Sequence, residues 1–130
     1  MAAKKQTLSN ALLNAVLTGA AYTSPSARYI ALFTTAPDAS TGGGGTEVTG
    51  GAYVRVAVTF SPAAAGSTAN TAAVTFPVAT ASWGTVEAVA ICDALTSGNQ
   101  LYFGDLGTEK LVDVGDQLNF AVGAITVTES

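Results

Sequence analysis

Few residues of this 130-residue chain have the type and spacing to carry out chemistry. It contains no histidine, so the commonest general base and the commonest metal ligand are both missing. A single cysteine, Cys92, rules out a disulfide framework and leaves zinc with too few ligands. Two carboxylate pairs remain to be weighed for hydrolysis. Glu87 and Asp93 are an even number of residues apart and share one face of a regular strand. At ~3.3 Å per residue they would stand roughly 20 Å apart, too far to cooperate on one bond. Asp113 and Asp116 flank Gly115 and read first as turn formers. A calcium ion there would need more oxygens than one turn supplies. The expectation is therefore no enzyme, no cofactor and no metal.

Interaction chemistry is better represented. Arg28 and Arg55 are the only arginines, a residue type enriched at interfaces. Each needs a partner once desolvated, and Glu47 and Glu87 are candidates. Trp83, the only tryptophan, sits beside Gly84. It either plugs a core or anchors an interface, since tryptophan is a frequent hot-spot residue. Lys4 and Lys5 precede the first apolar stretch on an N-terminus read as loose, from which they could grip an acidic neighbour. Tyr22, Tyr29 and Tyr53 could stack on bases, but five Lys+Arg face nine Asp+Glu. The phosphate attraction that nucleic-acid binding needs is missing, so no nucleic-acid partner is expected.

The elements that must position these residues are mostly strands. Leu8, Leu12, Ala15 and Val16 recur at helical spacing and define a short first helix, with Thr7 or Ser9 at its start and Gly19 at its end. In Arg28–Thr34, Tyr29, Ala31 and Phe33 face one way, Ile30 and Leu32 the other, so both faces are expected to be covered. Ala36-Pro37-Asp38 turns the chain, and a four-glycine loop spans Ser40 to Thr46. Tyr53–Phe60 alternates, with Val54, Val56, Val58 and Phe60 on one face. Ser61–Thr71 reads as a loop. Further strands are expected around Val74, over Val86–Asp93, Leu101–Leu106, Leu111–Val114, Gln117–Ala121 and Ala124–Thr128. Ser97-Gly98-Asn99 should close a hairpin, and Cys92 should be a small buried hydrophobe in line with Val86, Ala88 and Ala90.

Seven or eight short strands with no helices between them argue against parallel crossovers. The expected fold is all-β, an antiparallel β-sandwich of jelly-roll type with a short N-terminal helix. Residues 1–20 would form an arm and helix, and residues 21–130 the sandwich. Met1–Ala21 mimics a secretory signal, but Asn10, Asn14 and Thr18 interrupt its apolar stretch. No run approaches the ~18 apolar residues of a membrane span, and no membrane partner is expected.

Composition narrows the class further. Hydrophobic residues make up 48% but charged ones only 11%, with a net charge of −4. A disordered chain shows the reverse. So little charge on a small domain implies either a surface of Thr, Ser, Asn and Gly or extensive burial against partners, as in an assembly.

Three stretches carry a resemblance. The first runs from Leu8 to Leu17, continues with Tyr22-Thr23-Ser24-Pro25 and reaches Tyr29-Ile30-Ala31-Leu32-Phe33-Thr34-Thr35-Ala36-Pro37. The second is Thr46-Glu47-Val48 with Gly51-Ala52-Tyr53-Val54-Arg55. The third is Phe76-Pro77 with Ala79-Thr80-Ala81-Ser82-Trp83-Gly84, and Gly104-Asp105-Leu106 and Val114-Gly115-Asp116 keep the order. The chain resembles a family of small virion proteins of tailed bacteriophages, some described as tail-fibre-like. Similar proteins act as capsid cement with jelly-roll-like folds. The resemblance implies no catalytic residues. It implies a cement protein on the capsid exterior, bound to the major capsid protein and to itself as a dimer or trimer. The alternative is a tail or fibre module that recognises a host receptor. Lys4, Lys5, Glu47, Tyr53, Arg55 and Trp83 are the expected interface residues.

Overall fold

A computed structural model describes residues 3–38 and 44–128. Its elements are β1 (Ala3–Lys4), α1 (Gln6–Leu17), β2 (Tyr29–Thr35), β3 (Thr46–Glu47), β4 (Val56–Ala57), β5 (Ser67–Ala69), β6 (Val74–Thr75), β7 (Gly84–Cys92), β8 (Gln100–Val112), β9 (Asn119–Phe120) and β10 (Thr126–Thr128). The fold is all-β with one short N-terminal helix, and every strand pairing is antiparallel.

One six-stranded sheet runs β1-β8-β7-β2-β3, and β4 also pairs with β2. Its register explains the burial. Ile30 pairs with Ile91, which pairs with Tyr102, and Leu32 pairs with Val89. These side chains face the main core, with Val58, Val74, Phe76, Trp83, Ile125 and Val127. That core lies between the sheet and two separate ladders, β5–β10 and β6–β9. The ladders stand apart rather than joining into the second sheet of a two-sheet jelly roll.

The alternate residues Ala31, Phe33, Ala88, Ala90 and Cys92 form a smaller core on the other side of the sheet, with Phe103 and Ala36 against it. Both faces of β2 are thus covered, as its sequence implies. The segment after β2 comes close on this side. A Cβ on Gly45, whose φ is +76°, would lie 2.6 Å from the Thr35 carbonyl and 3.0 Å from the Phe33 ring. Only glycine permits that approach. Of the expected four-glycine loop, residues 40–43 lie outside the described residues.

Several local expectations are corrected. The β7–β8 ladder shifts register between Val86 and Ala88: Val86 pairs with Lys110 but Ala88 with Asp105, so residues 106–109 of β8 bulge out opposite the single residue Glu87. Across this irregularity Val86 belongs to the main core and Ala88, Ala90 and Cys92 to the smaller one. The alternation over Tyr53–Phe60 breaks because Gly50, Gly51 and Ala52 all take left-handed φ, and only Val56–Ala57 pair as a strand. Val54 consequently points out, 41% exposed. The supposed loop over 61–71 is a hairpin. Ala65 and Gly66 both take positive φ, and Ala64 and Ser67 exchange backbone hydrogen bonds of 2.9 and 3.0 Å. Leu101–Leu106 and Leu111–Val114 merge into the single long β8.

The N-terminus is tied down from residue 3. Ala3 and Lys4 pair with Phe103 and Tyr102. Lys5 donates its backbone N–H to the Leu101 carbonyl and is fully buried. Lys5, not Thr7 or Ser9, is the N-cap of α1. Thr18 ends the helix, and Gly19 follows with φ +75°.

Candidate functional site

Four of the six expected interface residues come together along the middle of β2, around Leu32. β3 pairs with β2 around Phe33 and Thr35, and β4 pairs at Tyr29 and Ile30. Between these short strands the Leu32 N–H would lack a ladder partner. The Tyr53 hydroxyl fills the gap, accepting that N–H at 3.0 Å and donating to Glu47 Oε2 at 2.6 Å. Arg55 completes the arrangement with a two-point pair to Glu47, Nε to Oε2 and Nη2 to Oε1, both 2.8 Å. Its Nη1 donates to the carbonyls of Ala94 and Ser97, at 2.7 and 2.9 Å. One guanidinium therefore fastens β3 to the turn joining β7 and β8.

Trp83 locks the same corner from the core side. Its indole N–H donates to the Gly51 carbonyl at 2.8 Å. Its ring meets Tyr53 edge-on at 5.5 Å, and Tyr53 stacks on Phe76 at 6.2 Å. Trp83 is 5% exposed and belongs to the main core. Lys4 and Lys5 lie on the far side of the sheet order, at β1. Lys5 Nζ sits over the Phe103 ring, 5.1 Å from its centre. Burial lowers the Lys5 pKa, and the charge of Asp38 works against that.

Above the cluster opens a cleft of about 300 Å³, with Thr49, Val54, Leu95, Thr96 and Ser97 around Glu47, Tyr53 and Arg55. Its electrostatics suit holding rather than proton transfer. Burial alone would raise the Glu47 pKa, but hydrogen bonds from Arg55 and Tyr53 and the Arg55 charge outweigh it, and the pKa is lowered. Burial and the Glu47 hydrogen bond raise that of Tyr53. The hydrogen bonds to Glu47 raise that of Arg55. Glu47 is thus ionised, Tyr53 neutral and Arg55 charged across the neutral range, with none poised to exchange a proton.

The other candidates are engaged in local structure. Glu87 Oε1 accepts the Ala36 N–H at 2.9 Å, so Glu87 serves the turn after β2 rather than an arginine. Asp93 Oδ1 accepts the Asn99 N–H at 2.7 Å, shaping the hairpin turn. Asp116 accepts the Asp113 N–H at 3.0 Å, and Asp113 accepts from Ser82 at 3.2 Å. Among the described residues, no group of three His, Cys, Asp or Glu is placed to hold a metal ion. No helix among them is long and apolar enough to cross a membrane.

A family model described as "Podophage GP4 fiber I protein gp80" matches residues 3–128. The chain belongs to that gp80 family. It is thereby a tailed-phage virion protein, as the three sequence stretches implied. The match takes in the whole Glu47–Tyr53–Arg55–Trp83 corner of this gp80-family chain. No curated protein matches it.

Sequence reasoning missed two features. Asn70, 2% exposed, donates Nδ2 to the carbonyls of Ala72 and Ala121 and accepts the Ile125 N–H at 2.9 Å. It stitches the 60–70 hairpin to the segment before β10, and a lone Asn after a Ser/Thr-rich stretch carries no sequence signal for that. The second is a stripe on α1. Val16 does not lie with Leu8 on the docked face. It stands out 79% exposed beside Leu13 and Leu17. The spacing of Leu13 and Leu17, one helical turn, was the available signal.

Proposed function

We propose that this chain is a non-enzymatic structural subunit of a phage fibre, associating with copies of itself. The family match over residues 3–128 carries that reading. The geometry is consistent with it. The conspicuous polar residues hold one corner of a small β domain, while Leu95, Leu111, Val114 and Val122 stay exposed for contact with neighbours.

The second reading is a cement protein on the capsid exterior that bridges major capsid subunits. Its support is composition: only 11% of residues are charged, which suits a surface packed into a shell. In that case binding to the assembled shell alone would stabilise the shell by linkage. Copy number separates the two. Quantitative mass spectrometry of purified virions, scaled to the major capsid protein, should find a fibre subunit at on the order of tens of copies, in keeping with a few symmetric appendages. Hundreds of copies would overturn the fibre reading in favour of cement.

A further inference from the structure

The helix α1 is apolar on two sides and docked on only one. Leu8 is buried, and Ala11, Leu12 and Ala15, on the same side, are partly buried. Round the helix from that side, Leu13, Val16 and Leu17 turn outward and are 56%, 79% and 74% exposed. At 100° per residue these three lie within about a quarter-turn of one another, forming a continuous outward stripe. None of the described residues covers it. A helix apolar on both sides is ordinarily buried on both, so the stripe calls for a second surface.

Charge points to what that surface is. From Gln6 to Ala27 the chain has no Asp, Glu, Lys or Arg, although the protein carries a net charge of −4. All nine acidic residues lie at position 38 or beyond. A face that is neutral as well as apolar is complementary to itself. Two copies meeting there bring no like charges together, whereas almost any other approach between anionic copies would.

We propose that copies of this chain associate through α1, with Leu13, Val16 and Leu17 of one copy packed against the same residues of another. The inference rests on the structural-subunit reading and gives it a contact surface. Symmetric packing of one patch on itself closes the assembly and prevents open-ended growth at this face.

Light scattering on the full chain at high micromolar concentration should give a multiple of 12.9 kDa. A Leu13→Gln/Val16→Gln/Leu17→Gln variant should drop to one copy with its circular dichroism unchanged. Wild type running as a single copy would overturn the proposal and assign the stripe to a different virion protein. A folded triple variant that keeps the wild-type mass would overturn it as well. Should the triple variant fail to fold, Val16→Cys decides. Cys92 is buried, so the new thiol is the reactive one. Oxidation should link two copies through position 16, while a Thr126→Cys control on exposed β10 should not cross-link. Failure of both to link, or equal linking at both positions, would count against it. A chain found in virions whose triple variant stays folded and keeps the wild-type oligomeric mass defeats this inference alone, whereas one that self-associates through α1 but is absent from virions defeats the functional reading alone.

Discussion

Replacing Arg55 by methionine is the most informative single change to the clustered corner. The substitution keeps much of the aliphatic stem but removes four hydrogen bonds, two to Glu47 and one each to Ala94 and Ser97. The Arg55 side chain is 9% exposed and that of Glu47 23%. Breaking a fully buried pair by removing one partner costs about 3–5 kcal/mol. Water can reach Glu47 from the cleft, so the expected loss here is smaller, about 2–3 kcal/mol. For a domain of this size that lowers Tm by roughly 8–12 °C. Urea titration followed by Trp83 fluorescence reports it, because the indole is buried against Tyr53. The midpoint should fall with the slope unchanged. Adding Glu47→Gln should cost less than it does in wild type, leaving a coupling of about 1–2 kcal/mol. The pH dependence has a definite sign. Glu47 has a folded pKa below its ordinary 4.5, so its stabilisation is complete above that ordinary value and is lost as pH falls through the folded pKa. Arg55→Met should flatten this acid-side loss. A variant within about 0.5 kcal/mol of wild type, or strict additivity with Glu47→Gln, would show that the pair behaves as an exposed surface pair.

Three other outcomes are expected. Gly51→Ala should cost about 1–3 kcal/mol in the same titration, since its Cβ would lie 2.8 Å from the Trp83 indole nitrogen at a φ of +59°. Gly107→Ala, with nothing within 4 Å and no such φ, should fall within about 0.5 kcal/mol of wild type. Asn70→Ala should lose about 1–3 kcal/mol, because it strands the buried Ile125 N–H and removes the donor shared by the Ala72 and Ala121 carbonyls. Cys92, buried and with its pKa pushed up to about 11, should resist thiol reagents in the native protein at mildly alkaline pH and react only as the chain unfolds.

Much of the fold was legible where a strand is covered on both faces. The alternation of Tyr29–Phe33 and Ala88–Cys92 gave the right sides because the sheet register leaves them no freedom. It misled where the backbone departs from extended geometry. The β8 bulge opposite Glu87 parts Val86 from Ala88, and the left-handed run Gly50-Gly51-Ala52 turns Tyr53 inward and Val54 outward. Neither departure changes hydrophobic pattern, so neither could be read from it. The 60–70 hairpin was hidden by its Ala, Gly and Ser content. Its strand β5 is held by pairing with the distant β10, not by local propensity. At the candidate site the Arg55–Glu47 partnership was within reach of charge pairing, and Glu87 was the wrong alternative. The Tyr53 bridge to Leu32 was not, because it depends on a gap between two short strands.

A cryo-electron microscopy reconstruction of the virion, with this fold fitted to the density, tests fibre placement most directly. The expected result is a match within a fibre. No match anywhere in the particle, or one only over the capsid shell, would contradict it.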